Sequence, residues 1–437
     1  MINDLPLETL TSDLAQLAEG LKSTDQTSQP EALLRRVLNA NFREGQTSNL
    51  QHVVNAAANE KLSAVLRQEA FQMLLDWEQP AQRDRVTGFW RPVNARAPET
   101  LIACRKLLAE QITELMAVTP DELQETLVQL IDLYDLPTDE KVFAGWIGDS
   151  GQPVSSRVAA LRYLARQQSG LVERSLQQAL NSDQPLLRAE ARDVAAQLNP
   201  SEAAEVYMNV AENAQSSILE RQRALLGLAK VDVSAADAAI VELATKLAEG
   251  KLEPALQLDM IEAGTLNGSA EVAELINRFK QQQSDGGLLS QHLVSLEGGD
   301  AERGRSLFVG HRVAQCVRCH KAGTLIPGGN AGPDLAQVAR RHPRLALLQS
   351  LVEPSALIAR GFESVTLVLD SGNIVAGVIR NEADGMVTIE QPDGRIVTVK
   401  TEEIEERTPA RSAMPEMHRT LTPREMRDLV EFLSTLQ

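Results

Sequence analysis

The sequence predicts a mainly α-helical chain in two parts. An α-solenoid covers residues 1–280, and a compact helical domain over 298–437 carries an inserted antiparallel β-meander, curled like a small barrel, at 362–408. Three observations lead there. Apolar residues recur at helical spacing through the first 280 residues, and an arginine-led phrase returns in step with them. Between 362 and 408 the pattern switches to alternation, cut by Ser-Gly and Asp-Gly pairs. Only 3% of the 437 residues are aromatic, so the helices must pack largely through small side chains.

The repeated phrase runs Arg67-Gln-Glu-Ala70, Arg157-Val-Ala-Ala160, Arg188-Ala-Glu-Ala191 and Arg221-Gln-Arg-Ala224. Its last three copies start 31 and 33 residues apart, and 90 residues separate the first two, room for three such periods. An alanine three residues after each arginine lets helices approach closely. This pattern resembles degenerate HEAT repeats; the alternative is an irregular helical bundle. The loop from Gln79 to Pro98 interrupts the helices and contains Phe89 and Trp90, expected to fold back over neighbouring helices rather than to anchor a partner. Trp77, Trp146 and Cys104 sit in helical patterns and read as core.

Residues 281–297 read as a linker. Gln281 to Gly287 breaks the pattern, and Leu288–Glu297 has room for one short helix. The net charge of −17 falls almost wholly before Leu296, which argues against a nucleic-acid partner. No run of about 18 apolar residues is present to span a membrane. Met1-Ile2-Asn3-Asp4-Leu5-Pro6 has neither the basic nor the apolar region of a signal peptide.

From Gly298 the chemistry changes. Asp300 can cap a helix through Phe308, and Cys316-Val317-Arg318-Cys319-His320 follows. A C-x-x-C-H run reads as an attachment site for one haem c: two thiols add to the vinyl groups and the imidazole ligates the iron. A zinc site needs four ligands, and Cys104 is the only other cysteine. A thioredoxin-like pair needs a strand before it, where a helix is expected. Three cysteines, two of them in this motif, leave no disulfide framework. Around the motif, from Asp300 to Leu345, eight basic residues, Arg312 among them, face three acidic ones. That charge would steer acidic redox partners, or simply form a solvated surface.

Four strands follow, Ser364–Leu369, Ile374–Ile379, Met386–Glu390 and Ile396–Lys400, with turns at Ser371-Gly372, Asp384-Gly385 and Asp393-Gly394. They lie between the motif and Met414-Pro415, 94 residues beyond His320.

Taken with Gly304, Phe308, Gly332-Pro333-Asp334-Leu335 and Leu429–Leu433, these motifs resemble a class I cytochrome c. Glu353-Pro354-Ser355, the β insert and Ser412-Ala413-Met414-Pro415 make the stretch 298–437 similar to the haem-binding domain family of planctomycetes and verrucomicrobia. The resemblance implies roles. His320 is the proximal ligand, the Pro333 carbonyl accepts its Nδ1–H, and Met414 is the sixth ligand. The last helix, Pro423–Leu436, packs across the first. Met417, His418, His311 and His342 stay open as alternative sixth ligands. In that family the domain follows HEAT-like repeats, which often follow a propeller resembling sugar or sorbosone dehydrogenases. The implied function is electron transfer, accepting electrons from a dehydrogenase or other redox protein docked on the repeats. The alternatives are a peroxidase-like haem enzyme with a displaceable ligand and a scaffold with a structural haem. Covalent haem attachment implies a periplasmic or otherwise extracytoplasmic chain, so the expectation is a fragment of an exported protein or a start upstream of Met1.

Overall fold

The computed structural model describes residues 8–21, 31–311, 313–391 and 394–437. Met1–Pro6, Arg312 and Asp393, each used above, lie outside the described residues. The chain is mainly helical with one small antiparallel sheet, and it divides into two compact units, Met1–Leu198 and Asn199–Gln437. The division does not fall at residue 280: the helices from Pro200 onward group with the C-terminal segment.

In the first unit, helices Ala64–Leu75, Gln124–Leu133, Val154–Arg166 and Pro185–Leu198 pack in succession, and Glu140–Gly148 packs on Val172–Leu180 beside them. Leu74, Cys104, Leu127, Phe143, Leu161 and Ala191 belong to one continuous core. Trp77 is fully buried in it, while Trp146 is half-buried, edge-on to Phe143 at 5.2 Å.

The arginine of the repeated phrase has a definite partner. Arg67 Nε donates to Ala57 O at 2.9 Å, Arg157 NH2 to Ile147 O at 2.9 Å, and, in the second unit, Arg221 Nε to Ala211 O at 2.9 Å. Each carbonyl lies ten residues earlier, in the last turn of the preceding helix. Carbonyls there have no partner within their own helix, so the guanidinium both satisfies one and meets the negative end of the helix dipole. Arg188 NH1 donates to Ser182 O at 2.8 Å.

The loop after Trp77 is built around Asp84, 2% exposed. Its carboxylate accepts from the amides of Val86 (3.0 Å) and Thr87 (2.9 Å), from Asn39 (3.2 Å) and from Arg91 (3.3 Å). Phe89 and Trp90 do not fold back as expected. Held on this narrow loop, they are 60% and 64% exposed.

In the second unit, Pro200–Glu212, Ile218–Leu228, Ser234–Ala248, Pro254–Asn267 and Ala270–Ser284 pack on one another in layers. The polar stretch expected as linker is helical as far as Ser284, because glutamine is a good helix former; Gly286 and Gly287 end it. Helix Leu288–Gln291 and a 3-10 turn, Leu293–Ser295, lead to helix Ala301–Gly310. Asp259, on Pro254–Asn267, is fully buried against Arg427 of the final helix, Pro423–Thr435 (2.6 Å), and also accepts from Arg424 (2.8 Å).

The sheet comprises β1 (Glu363–Leu369), β2 (Ile374–Ala383), β3 (Met386–Glu390), β4 (Ile396–Lys400), β5 (Ile404–Arg407) and β6 (Arg411–Ser412). Its order is β4-β3-β2-β1-β5, with β6 also on β1. The four strands read from the sequence form the meander, and two short strands return to β1. Asp384 and Gly385 both adopt left-handed backbone (φ 53° and 75°), the turn that suits a tight hairpin. Alternation buries Val365, Leu367, Val387, Ile389 and Val399 in a separate small core.

Candidate functional site

Helix Ala301–Gly310 opens with Asp300, whose carboxylate accepts the Arg303 amide at 3.0 Å. It crosses the final helix at Gly304, where a Cβ would stand 1.9 Å from the Asp428 carbonyl oxygen; only glycine permits that approach. Phe308 and Phe432 meet at 5.6 Å, and Arg303 Nε donates to buried Asp428 at 2.9 Å.

After the helix, His311 Nδ1 accepts the amides of Val313 (3.3 Å) and Ala314 (3.0 Å), while Nε2 lies 3.5 Å from Glu425. Gln315, in left-handed backbone (φ 45°), starts the 3-10 turn Cys316–Arg318. The His320 amide donates to Cys316 O at 2.9 Å, closing the motif into one compact turn. Cys316 is half-buried and Cys319 exposed. Burial, and then the neighbouring Cys319, push the Cys316 thiol above its ordinary pKa.

The segment 328–335 wraps this turn. Gly329 N donates to Val317 O (2.9 Å), Gly332 N to Cys319 O (2.9 Å) and Leu335 N to Lys321 O (2.8 Å). A Cβ on Gly332 would lie 2.5 Å from His320 Cε1, so the backbone rests directly against the imidazole. Beside it, Pro333 O is 2.9 Å from His320 Nδ1. A carbonyl only accepts, so Nδ1 carries the proton and Nε2 keeps its lone pair for a metal.

Met414 is half-buried, its amide donating to Ser412 Oγ at 3.1 Å. It packs against the cluster of Phe308, Leu348 and Leu429 that also receives Cys316, Val317 and Leu335. The structure thus brings His320 and Pro333 into direct contact, and Cys316 and Met414 onto one apolar cluster. Met417 is buried in that cluster. His418 Nδ1 is 3.2 Å from Val352 O, its ring 5.2 Å from His292, and His342 is half-buried after a short helix, Val338–Arg341.

The basic residues near the motif are largely engaged. Arg303 is bound to Asp428, Arg344 to Glu431 (2.7 Å) and Arg341 to Asp334 O (2.9 Å). Apolar surface is bare instead, with Val313 72%, Leu325 81% and Leu357 48% exposed within about 45 residues of chain.

Among the described residues, no group of three or more His, Cys, Asp or Glu side chains is arranged to hold a metal ion alone. The donor set suits a haem: two thiols on one turn for its edge, an oriented imidazole for its iron, and a thioether on the adjoining cluster. No helix among the described residues is long and apolar enough to cross a membrane.

No protein-family model and no curated protein matches the chain. A solved structure similar to it is that of human deoxyhypusine hydroxylase in complex with glycerol, 13% identical, covering 60% of this chain and 89% of that one. The TM-score is 0.26, a likeness too distant to carry an argument about either fold or activity.

Proposed function

We propose that the chain is a single-haem c-type cytochrome module for electron transfer. Residues 298–437 form a class I cytochrome c-like domain with its β insert, and the preceding helices form a HEAT-like scaffold. The observation that carries the reading is the 2.9 Å bond between His320 Nδ1 and Pro333 O, next to two thiols on the same turn. When bound, the haem supplies a one-electron couple. Cys316 and Cys319 would tether it, His320 Nε2 would hold the iron, and the Pro333 carbonyl would raise the basicity of that imidazole. Met414 would supply a thioether to the iron, a soft neutral donor that would favour the reduced state. The scaffold docks the electron donor, a dehydrogenase or similar redox protein, outside the cytoplasm where covalent haem attachment takes place.

The test is expression with a haem-attachment system. The expected product keeps its haem through denaturing electrophoresis, and its oxidised form shows a weak sulfur–iron band at roughly 695 nm. Met414→Ala should lose that band and gain carbon monoxide binding. Haem that washes away, or wild type that binds carbon monoxide as readily as the variant, overturns the assignment.

A further inference from the structure

We infer that Asp334 is a positioning residue that holds Pro333 O on the His320 ring, an inference that rests on the haem reading above. Asp334 follows the proline in sequence, and its side chain clamps two strands of the wrapping loop together. Oδ1 accepts the amide of Gly323 at 2.9 Å, from the segment leaving the motif, and the amide of Ala336 at 2.9 Å, from the segment leaving Pro333. Lys321 Nζ lies 4.0 Å from Oδ2, and Arg341 NH2 donates to Asp334 O at 2.9 Å. One carboxylate therefore ties residues 321–323 to residues 334–336 across the backbone bond from Leu335 N to Lys321 O. These contacts span Pro333, whose own nitrogen has no hydrogen to anchor it. The amides of Ala336 and Gly323 hold the carboxyl below the usual carboxylate range, as an ionised acceptor would require.

Backbone bonds from Gly332 and Leu335 fix the path of the loop on either side of Pro333. Neither of these bonds is made by the peptide group between Pro333 and Asp334 itself. The Asp334 clamp is what sets the plane of that group, and with it the direction of the carbonyl. Without it His320 loses its fixed tautomer, and the imidazole becomes a weaker donor to iron.

The test uses the full chain with and without haem. In the haem-free protein, nitrogen-15 NMR of the His320 ring should show one Nδ1–H tautomer, and the Gly323 and Ala336 amides should exchange at least about tenfold slower than free-loop amides. Asp334→Ala should mix the tautomers and speed both amides. Asp334→Asn keeps an oxygen acceptor and should restore both readouts. In the haem-loaded protein, Asp334→Ala should raise the reduction potential, and Asp334→Asn should return it towards wild type. Free-loop exchange of the two amides in wild type, or an unchanged tautomer and potential in Asp334→Ala, overturns the inference. If wild type takes up no haem while the haem-free readouts behave as stated, the haem reading fails and the positioning of His320 stands.

Discussion

Replacing Asp259 by alanine removes the only anionic partner that Arg427, a side chain with no solvent exposure, has among the described residues. Arg424 is less affected, because it also binds Glu262 and is 31% exposed. NH1 and NH2 of Arg427 bond Asp259 and its Nε has no partner among the described residues, so the variant leaves a guanidinium buried without a counter-charge. Breaking a buried pair from one side costs about 3–5 kcal/mol, largely through the stranded ion. The cost should fall on the final helix, Pro423–Thr435, which crosses the site's first helix at Gly304. Hydrogen exchange read by mass spectrometry on the peptide covering that helix isolates it from the rest of a large chain. At 1.4 kcal/mol per factor of ten, exchange should accelerate by two orders of magnitude or more, roughly. Two controls frame the result. Glu262→Ala removes a partly exposed partner and should cost about 0–1 kcal/mol. Asp259→Leu combined with Arg427→Met should recover most of the loss, since apolar replacements of buried pairs are often neutral. Exchange in Asp259→Ala within tenfold of wild type, or a double variant worse than the single one, would refute the reasoning.

Gly332→Ala should displace the His320 ring and, in the haem-loaded protein, weaken the 695 nm-type band, because the new Cβ would stand 2.5 Å from Cε1; the visible spectrum checks this. Arg157→Ala leaves the buried end of its preceding helix with an unsatisfied Ile147 carbonyl and should destabilise the first unit by about 1–3 kcal/mol in urea titration followed by tryptophan emission. Asp84 titrates below the usual carboxylate range: burial works to raise its pKa, and the amides of Thr87 and Val86 with Asn39 overcome it. A depressed folded-state pKa contributes stability above the unfolded value, near ~3.9, that is lost as pH falls through the folded value. Trp90 emission, with Trp90→Phe as blank, should therefore hold steady from neutral pH to about 4 and change below it, and Asp84→Asn should abolish that transition.

The strands were legible because their turns carry their own chemistry: Asp384-Gly385 demands left-handed backbone at both positions, and the structure has it. Strands β5 and β6 were not, since Ile404-Glu-Glu-Arg407 has no alternation to read and owes its form to pairing with β1. The site was readable where it is local: the turn at Cys316–His320 is spaced by the covalent chemistry it suits, and Pro333 is only 13 residues from His320. The repeat phrase is visible in the sequence, but the role of its arginine is not, because the partner carbonyl belongs to another helix. Nothing in periodicity links Asp259 to Arg427, 168 residues apart. The exposure of Phe89 and Trp90 is not legible in the sequence, because Asp84, the buried carboxylate that shapes their loop, takes one of its donors from Asn39, 45 residues away.

The first and last strands of the sheet are paired at their ends, Glu363 with Ser412, and Ser412 N also donates to Ser355 Oγ at 3.2 Å. The chain thus leaves the helical domain and re-enters it at nearly the same point. For the long stretch between His320 and Met414 this shortens the tether that matters: once the sheet has folded on its own core, the closing loop is the remainder alone. Loop-closure entropy changes by only about 0.6 kcal/mol per doubling of length, so the insert adds little penalty to bringing the two segments together. Such a staple makes the sheet a removable cassette. Its length and its outer face can vary freely, provided the two ends still meet.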